Sequence, residues 1–441
     1  MKYIHNDVWR FAWPMIIANV TTPLLGLVDA AVLGHLPSPI YLGAVAIGAS
    51  IFSCIYWSMG FFRMGTTGLV AQAYGARDSK SIIRILFQSI ILAIVIGLLL
   101  ILCAKPVFLL STTFFQPSSL VSAELASYYF IRIYSAPAVL INFALLGWLI
   151  GMHKTRAPLY LMLLANSVNI VLDVFFVMGL GMTATGVALA TVCADYLSMG
   201  FGLYLVTRVL REQIIQLDFS GIYYKAGFFQ LLSVNRHLFF RSLSLLFCFA
   251  FFTAQGSRLG DTTLASNAIL INFLLLISNG LDGFAHAAEA LTGKAVGEKC
   301  KTLFKATVRT TGLWSAIMAI FFLLVFYMGG EVIIALLTDI DEIKQEASHY
   351  LPWLIALPLV AVWSYWMDGV FIGLARTGVM QNTTIAATLC FFLPIWYLAK
   401  PLGNHGLWLA FYAFSFARSA LMCASYYLLD KKQKLVVWKN E

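Results

Sequence analysis

About twelve long apolar segments, separated by short polar loops, make up almost the entire chain. Crossing the hydrocarbon core of a bilayer as an α-helix takes about 20 residues, and the segments are long enough. Only 11% of the 441 residues are charged and 61% are hydrophobic, whereas a soluble domain is about 25% charged. The pattern predicts an all-α polytopic membrane protein with twelve transmembrane helices. It excludes a soluble enzyme, a disordered chain and a disulfide scaffold.

Loops rich in lysine and arginine alternate along the chain with loops that hold few of these residues. One set of loops and both termini are rich in these residues, whereas the alternate loops hold only Lys105, Arg258, Lys344 and Lys400. Basic residues collect at the cytoplasmic ends of membrane helices. We therefore expect a multi-pass protein of the bacterial inner membrane with both termini in the cytoplasm. The same bias explains the net charge of +9 without a nucleic-acid partner.

The two halves of the sequence resemble each other. The stretch GWLIGMHKTR at 147–156 matches GVFIGLARTG at 369–378, and other pairs recur at about the same separation. Each half holds six segments, so both halves enter the membrane in the same sense. We expect two parallel six-helix lobes, an arrangement typical of secondary transporters. Each copy also carries a G-x-x-x-G spacing, which predicts close helix packing within its half. The predicted boundaries are an N-lobe at 1–207, a cytoplasmic linker at 208–235, a C-lobe at 236–430 and a basic tail at 431–441.

Four polar side chains stand out inside the apolar segments of the first half. Asp29 lies in the first segment, after Pro14; Asp173 follows Asn169 by one helical turn in the fifth; Thr191 lies in the sixth. A charged side chain at the bilayer centre costs about 2.5–3.5 kcal/mol on insertion scales. The favoured interpretation is a site that exchanges a proton or a cation. The alternative is hydrogen bonding between helices.

The second half has its own membrane acids. Asp282 and Glu289 lie seven residues apart in the eighth segment, and Asp368 lies in the tenth. They form either a secondary functional site or structural pairs with internal arginines. The arginines available inside apolar segments are Arg63, Arg132, Arg241 and Arg418.

Motifs of catalysis and cofactor binding are missing from the sequence. The stretch ALTGKAV at 290–296 lacks the first glycine and the final serine or threonine of a phosphate loop, and the seven cysteines form no C-x-x-C pair. We expect no enzymatic activity, no cofactor and no resident metal. Aromatic residues make up 15% of the chain. They suit either a pocket for large organic cations or the lipid-facing surface.

The ordered motifs resemble those of a known family. PLLGLVDAAVLGHL, NSVNIVLDVFFVMGLGMTATGVALATV and LDGFAHAAEALTGKAVG are similar to the DinF-like branch of the MATE (multidrug and toxic compound extrusion) exporters, and the similarity covers essentially the whole chain. The resemblance implies a V-shaped fold of the MATE/MOP type. It also implies a coupling site at Asp29, Asn169, Asp173 and Thr191, with bending of the first helix at Pro14. The NorM-like branch carries a seventh-helix carboxylate that this sequence lacks.

Together these features predict a monomeric antiporter that exports cationic or amphiphilic drugs in exchange for protons. Protonation of Asp29 would bend the first helix at Pro14 and release the drug by alternating access. Sodium bound at Asp29, Asn169, Asp173 and Thr191 is the alternative coupling ion. A flippase for lipid-linked precursors, from the same superfamily, is the alternative function. The predicted partners are organic cations and the bilayer.

Overall fold

The computed structural model describes residues 2–34, 38–215, 224–436 and 438, except for the side chains of residues 2 and 20–34. The described residues are almost entirely helical and contain no strand. The helices are α1 (Lys2–Gly34), α2 (Pro39–Ser58), α3 (Phe61–Gly75), α4 (Ser79–Leu102), α5 (Ala104–Phe115), α6 (Ser119–Arg132), α7 (Ala136–Gly151), α8 (Ala157–Asp173), α9 (Ala184–Glu212), α10 (Lys225–Arg258), α11 (Asp261–Gly297), α12 (Lys301–Leu337), α13 (Asp341–Gly373), α14 (Thr377–Ala386), α15 (Leu393–Ala399) and α16 (Asn404–Lys431).

Eleven helical spans between Pro39 and Lys431 are long and apolar enough to cross a membrane. Several combine two of the labelled helices: α2 with α3, α6 with α7, and α14 with α15. The helix α1, with 33 residues, precedes them and has the length of a twelfth span. The prediction of an all-α polytopic membrane protein is confirmed.

Local sequence explains where several helices begin and change their winding. Ser118 caps α6 through a bond from Val121 N, and Asp78 caps α4 through a bond from Ser81 N at 3.1 Å. Partial burial raises the pKa of the Asp78 carboxyl, but the hydrogen bonds from Ser81 and the Lys80 backbone, together with the charge of Arg84, outweigh burial and bring that pKa below its ordinary value. Each of α8 and α14 continues into a π-helical stretch: α8 into Val174–Gly179 and α14 into Ala387–Phe392.

The chain forms two compact units. The first unit contains residues 17–74 and 78–232, and the second contains residues 1–16, 75–77 and 233–441. In the first unit, Phe52 stacks on Tyr56 and Tyr129 in a core formed mainly by α2, α6 and α9. In the second unit, Phe252 and Trp408 lie at the centre of a larger aromatic core.

Glycines bring helices into close contact within each unit, as the G-x-x-x-G spacing predicts. In the first unit, Gly147 packs against the backbone of Arg63, and Gly151 packs against Val70. In the second, Gly369 lies against the carbonyl of Ala285, and Gly373 lies against the turn of α11 that holds Thr292. A β-carbon at any of these four positions would collide with the neighbouring helix.

Candidate functional site

Three of the four predicted polar residues of the first half come together in the first unit. Asn169 and Asp173, four residues apart on α8, share one face of that helix. Thr191 on α9 lies opposite, with 3.1 Å between its Oγ1 and the Asn169 amide. Asn169 and Asp173 are fully buried. We call these three residues the Asn–Asp–Thr cluster.

The orientation of the Asn169 amide follows from its neighbours, because its nitrogen and oxygen are assigned from the hydrogen-bond network. In the orientation that satisfies both atoms, the amide nitrogen donates to Asp173 Oδ2 at 2.9 Å. The amide oxygen then accepts from the backbone N–H of Thr191 at 3.2 Å. Asn169 therefore links the carboxylate of α8 to the backbone of α9.

The helix changes its winding directly after Asp173. The π-helical stretch Val174–Gly179 begins at the next residue, and the Val174 N–H is shared between the carbonyls of Ile170 and Val171. Isolated π-helical turns occur often at functional sites. The Asp173 carboxylate thus sits at the boundary between two helical windings.

The other two predicted residues lie on α1. Pro14 is buried, and the helix continues through it. Asp29 lies on the same helix, but its side chain is outside the described part of the chain. Its role remains a prediction from the sequence.

A partly buried ion pair in the first unit was not predicted from the sequence. Arg132 on α6 donates to Asp195 Oδ2 on α9 at 2.8 Å, one helical turn after Thr191. The guanidinium also bonds Ser135 and lies over the rings of Phe52 and Tyr56 at 5.4 and 5.7 Å. Asp195 falls inside the sixth apolar segment. An acidic residue in an apolar segment is costly to insert, as for Asp173, and this signal could have identified Asp195.

Asp368 in the second unit is bonded to two arginines. Its Oδ2 accepts from Arg241 on α10 and from Arg418 on α16, and all three side chains are buried. Asp368 was expected to belong either to a secondary functional site or to a structural pair with an internal arginine. The observed geometry corresponds to structural pairing. The arginines come from two different helices, so the sequence alone could not name them.

Asp282 belongs to the same cluster. The half-buried side chain on α11 interacts electrostatically with Arg418 and with Tyr365. The Tyr365 ring lies 5.8 Å from the Arg418 guanidinium, and its hydroxyl is 2.6 Å from Ser278 Oγ. Together with Asp368 and Arg241, the cluster balances two guanidinium groups with two carboxylates.

Glu289 lies two turns further along α11. It is buried, and its Oε2 is 3.5 Å from His286 Nδ1. This turn packs against Gly373 of α13. Among the residues that the structure describes, no group of three or more histidine, cysteine or acidic side chains could hold a metal ion.

Comparison with known proteins identifies the family. The family model MatE matches the chain twice, over residues 14–175 and 238–398. The chain belongs to the MatE family. The two matched stretches correspond to the two sequence halves, in agreement with the internal repeat.

Relatives support the same assignment. The chain is 43% identical over 418 residues to DNA damage-inducible protein F of Escherichia coli K12, covering 95% of this chain and 91% of the relative. It is 26% identical over 421 residues to a probable multidrug resistance protein NorM of Acinetobacter baylyi, covering 92% of this chain and 91% of the relative. The predicted resemblance to the DinF-like MATE proteins is confirmed.

Solved structures share the fold. An outward-facing multidrug resistance MATE family transporter of the MOP superfamily superposes with a TM-score of 0.87 at 19% identity, covering 98% of this chain and 97% of that one. The predicted MATE-type fold is confirmed. Members of this family are transporters, and this chain is a multi-pass membrane protein.

Proposed function

We propose that this MATE-family transporter is a secondary antiporter that exports cationic or amphiphilic organic compounds in exchange for protons. The observation that carries the proposal is the Asn–Asp–Thr cluster, a buried carboxylate linked to a second helix through an amide. Relatives described as multidrug resistance proteins support the class of cargo. The basic loops support a bacterial inner-membrane location with both termini in the cytoplasm.

The chemistry of the proposed site rests on desolvation. Burial disfavours the charged form of a carboxyl group, so Asp173 is suited to take up and release a proton during the cycle. Asn169 responds to both states, because its amide donates to the charged carboxylate and can rotate to accept from the protonated one. Each proton that enters down a potential of 100 mV supplies about 2.3 kcal/mol.

We place Asp29 and Pro14 in the same mechanism. Pro14 is buried within α1, and the same helix continues to Asp29. A proline inside a helix removes one backbone hydrogen bond and favours a kink. Protonation of Asp29 would then be coupled to bending of α1 at this point, and the bend would expel the drug.

Sodium is the competing ion, because the Asn–Asp–Thr cluster offers carboxylate, amide and hydroxyl oxygens. The amide bond from Asn169 already occupies one oxygen of the Asp173 carboxylate, which leaves fewer oxygens available to a sodium ion. Transport driven by a pH gradient alone, and then by a sodium gradient alone, separates the two ions.

The flippase alternative is less well supported. A lipid pyrophosphate would need guanidinium groups that are not already neutralised. Arg132, Arg241 and Arg418 are each bonded to an aspartate of their own unit. These three arginines are therefore committed to internal ion pairs.

The test is drug efflux from proteoliposomes under an imposed pH gradient. We expect Asp173→Asn and Asp29→Asn to lower proton-driven efflux at least tenfold, because neither variant can change its charge. The control is Asp430→Asn, which removes an acid at the exposed end of α16 and should leave efflux unchanged. Undiminished efflux in both the Asp173→Asn and the Asp29→Asn variants would refute the proposed coupling site.

A further inference from the structure

Two histidines join α13 to α16 at one end of the second unit. His349 Nε2 and His405 Nε2 are 3.0 Å apart. The indole of Trp353, one turn after His349, donates from Nε1 to His405 Nδ1 at 3.2 Å. We call His349, Trp353 and His405 the His–Trp latch. The lysine and arginine pattern assigns this end of the unit to the outside.

The indole of Trp353 determines which ring nitrogen carries the proton in each of the two histidines. An indole N–H can only donate, so His405 Nδ1 must be the acceptor. The proton of a neutral His405 then lies on Nε2 and points at His349. His349 Nε2 is therefore the acceptor of the second bond, and its own proton lies on Nδ1. Both rings are neutral in this arrangement.

Adding one proton removes a hydrogen bond of the latch in every arrangement. A proton on His349 Nε2 places two N–H groups face to face across 3.0 Å. A proton on His405 Nδ1 instead opposes the indole N–H of Trp353. In the third arrangement, a protonated His349 donates from Nε2 to His405 Nε2. The proton of His405 then lies on its Nδ1, and the bond from the Trp353 indole is lost. Protonation therefore costs at least one of the two bonds between side chains of the latch.

The same reasoning excludes a metal ion as the ligand of the closed latch. A histidine that binds a metal through Nε2 keeps its proton on Nδ1 and donates it to an acceptor. His405 Nδ1 faces a donor instead. The ligand that this geometry responds to is the proton, and the imidazole is the side chain that ordinarily changes charge between about pH 5 and 8.

Other titratable groups surround the latch. Tyr350 packs its ring 4.8 Å from His405, and its hydroxyl bonds Asn404 and interacts with Glu346. Glu346 accepts from Thr263 of α11 at 2.5 Å. Tyr412 of α16 packs its ring 5.9 Å from Trp353. The other charged residues in the described loops and helix ends on this side of the second unit are Arg258, Asp261, Glu331, Asp339, Asp341, Glu342, Lys344 and Lys400.

We propose that the His–Trp latch is an external proton-binding site, separate from the Asn–Asp–Thr cluster, that loosens the contact between α13 and α16 when the outside becomes acidic. His349 is exposed, so protons reach the latch from solvent. The site is a sensor of external pH, and it does not depend on which ion or drug the protein transports.

The test uses the full-length protein in lipid nanodiscs at pH 8 and pH 5.5. We expect the midpoint of thermal unfolding to fall further in the wild type than in the double variant His349→Gln/His405→Gln, by about 1 °C for one lost hydrogen bond. Trp353→Phe should reduce the response to that of the double variant, because His405 Nδ1 then takes a proton without losing a bond. Glu346→Gln removes the neighbouring acid and should keep the wild-type response.

Nitrogen-15 NMR of histidine-labelled protein reads the protonation directly. At pH 8 we expect one ring protonated on Nε2 and hydrogen-bonded to an unprotonated Nε2. At pH 5.5 we expect an added proton on either His349 Nε2 or His405 Nδ1, the two nitrogens that accept hydrogen bonds at pH 8. His5→Gln is the control, because His5 also accepts from a tryptophan, Trp314, at 3.1 Å but is not part of the latch. A double variant with the wild-type pH response, or His405 protonated on Nδ1 at pH 8, would overturn the proposal.

Discussion

Replacing Asp368 by leucine removes the carboxylate to which Arg241 and Arg418 both donate. The two guanidinium groups are about 95% buried, so water cannot replace the lost partner. Asp282 then faces two positive charges alone. Removing one partner of a buried ion pair costs about 3–5 kcal/mol. We expect Asp368→Leu to lower the free energy of unfolding by this amount.

A second substitution should restore part of the loss. In the double variant Arg241→Met/Asp368→Leu, Arg418 remains with Asp282, and the charges of the cluster balance again. Burying apolar side chains in place of a buried ion pair is often close to neutral. We expect the double variant to be more stable than Asp368→Leu alone, with a coupling energy of about 2 kcal/mol or more in the double-mutant cycle.

The assay is reversible unfolding by dodecyl sulfate in mixed micelles, followed by circular dichroism. Asp430→Asn serves as the control, because the ion pair of Asp430 with Lys305 is partly exposed and 3.4 Å long. Such a pair contributes about 0–1 kcal/mol. If the losses from Arg241→Met and Asp368→Leu simply add in the double variant, charge balance does not hold this cluster together and the reasoning fails.

Two further predictions concern packing and capping. Gly369→Ala should destabilise the second unit by more than about 1 kcal/mol, because the new methyl group meets the carbonyl of Ala285; Gly329→Ala on α12 meets nothing and should be neutral or stabilising in the same unfolding assay. Asp78→Ala should cost about 1 kcal/mol through the lost cap of α4. Since the pKa of Asp78 is lower in the folded protein, its contribution is complete above about pH 4 and is lost as the pH falls below that value. Unfolding measured at pH 7 and pH 3.5 checks this, and an equal cost at both values would contradict it.

Part of the candidate site was accessible from the sequence. Asn169 and Asp173 are four residues apart on one helix, so their common face follows from helical periodicity. Thr191 stands out as a polar side chain in an apolar segment, and the family resemblance groups it with the other two. The contact between Asn169 and Thr191 confirms that these residues are neighbours. Their role in coupling stays a prediction.

The partners of the ion pairs could not be predicted from the sequence. Arginine pairing of Asp368 was predicted as one of two possibilities, without its partners, and Asp195 was not predicted. Arg132 and Asp195 are 63 residues apart in the chain, and Arg241 and Asp368 are 127 apart. No local periodicity connects residues at such separations.

The sequence by itself determined the membrane class, the helical segments, their duplication and the family. Each of these is encoded locally, because transfer of apolar residues into lipid and the placement of basic residues act segment by segment. Only the tertiary structure decided that Arg241 and Arg418 neutralise Asp368, and that Trp353 fixes the proton of His405. These outcomes depend on which faces of distant helices meet, since a buried charge or imidazole is defined by the partner that packing brings to it.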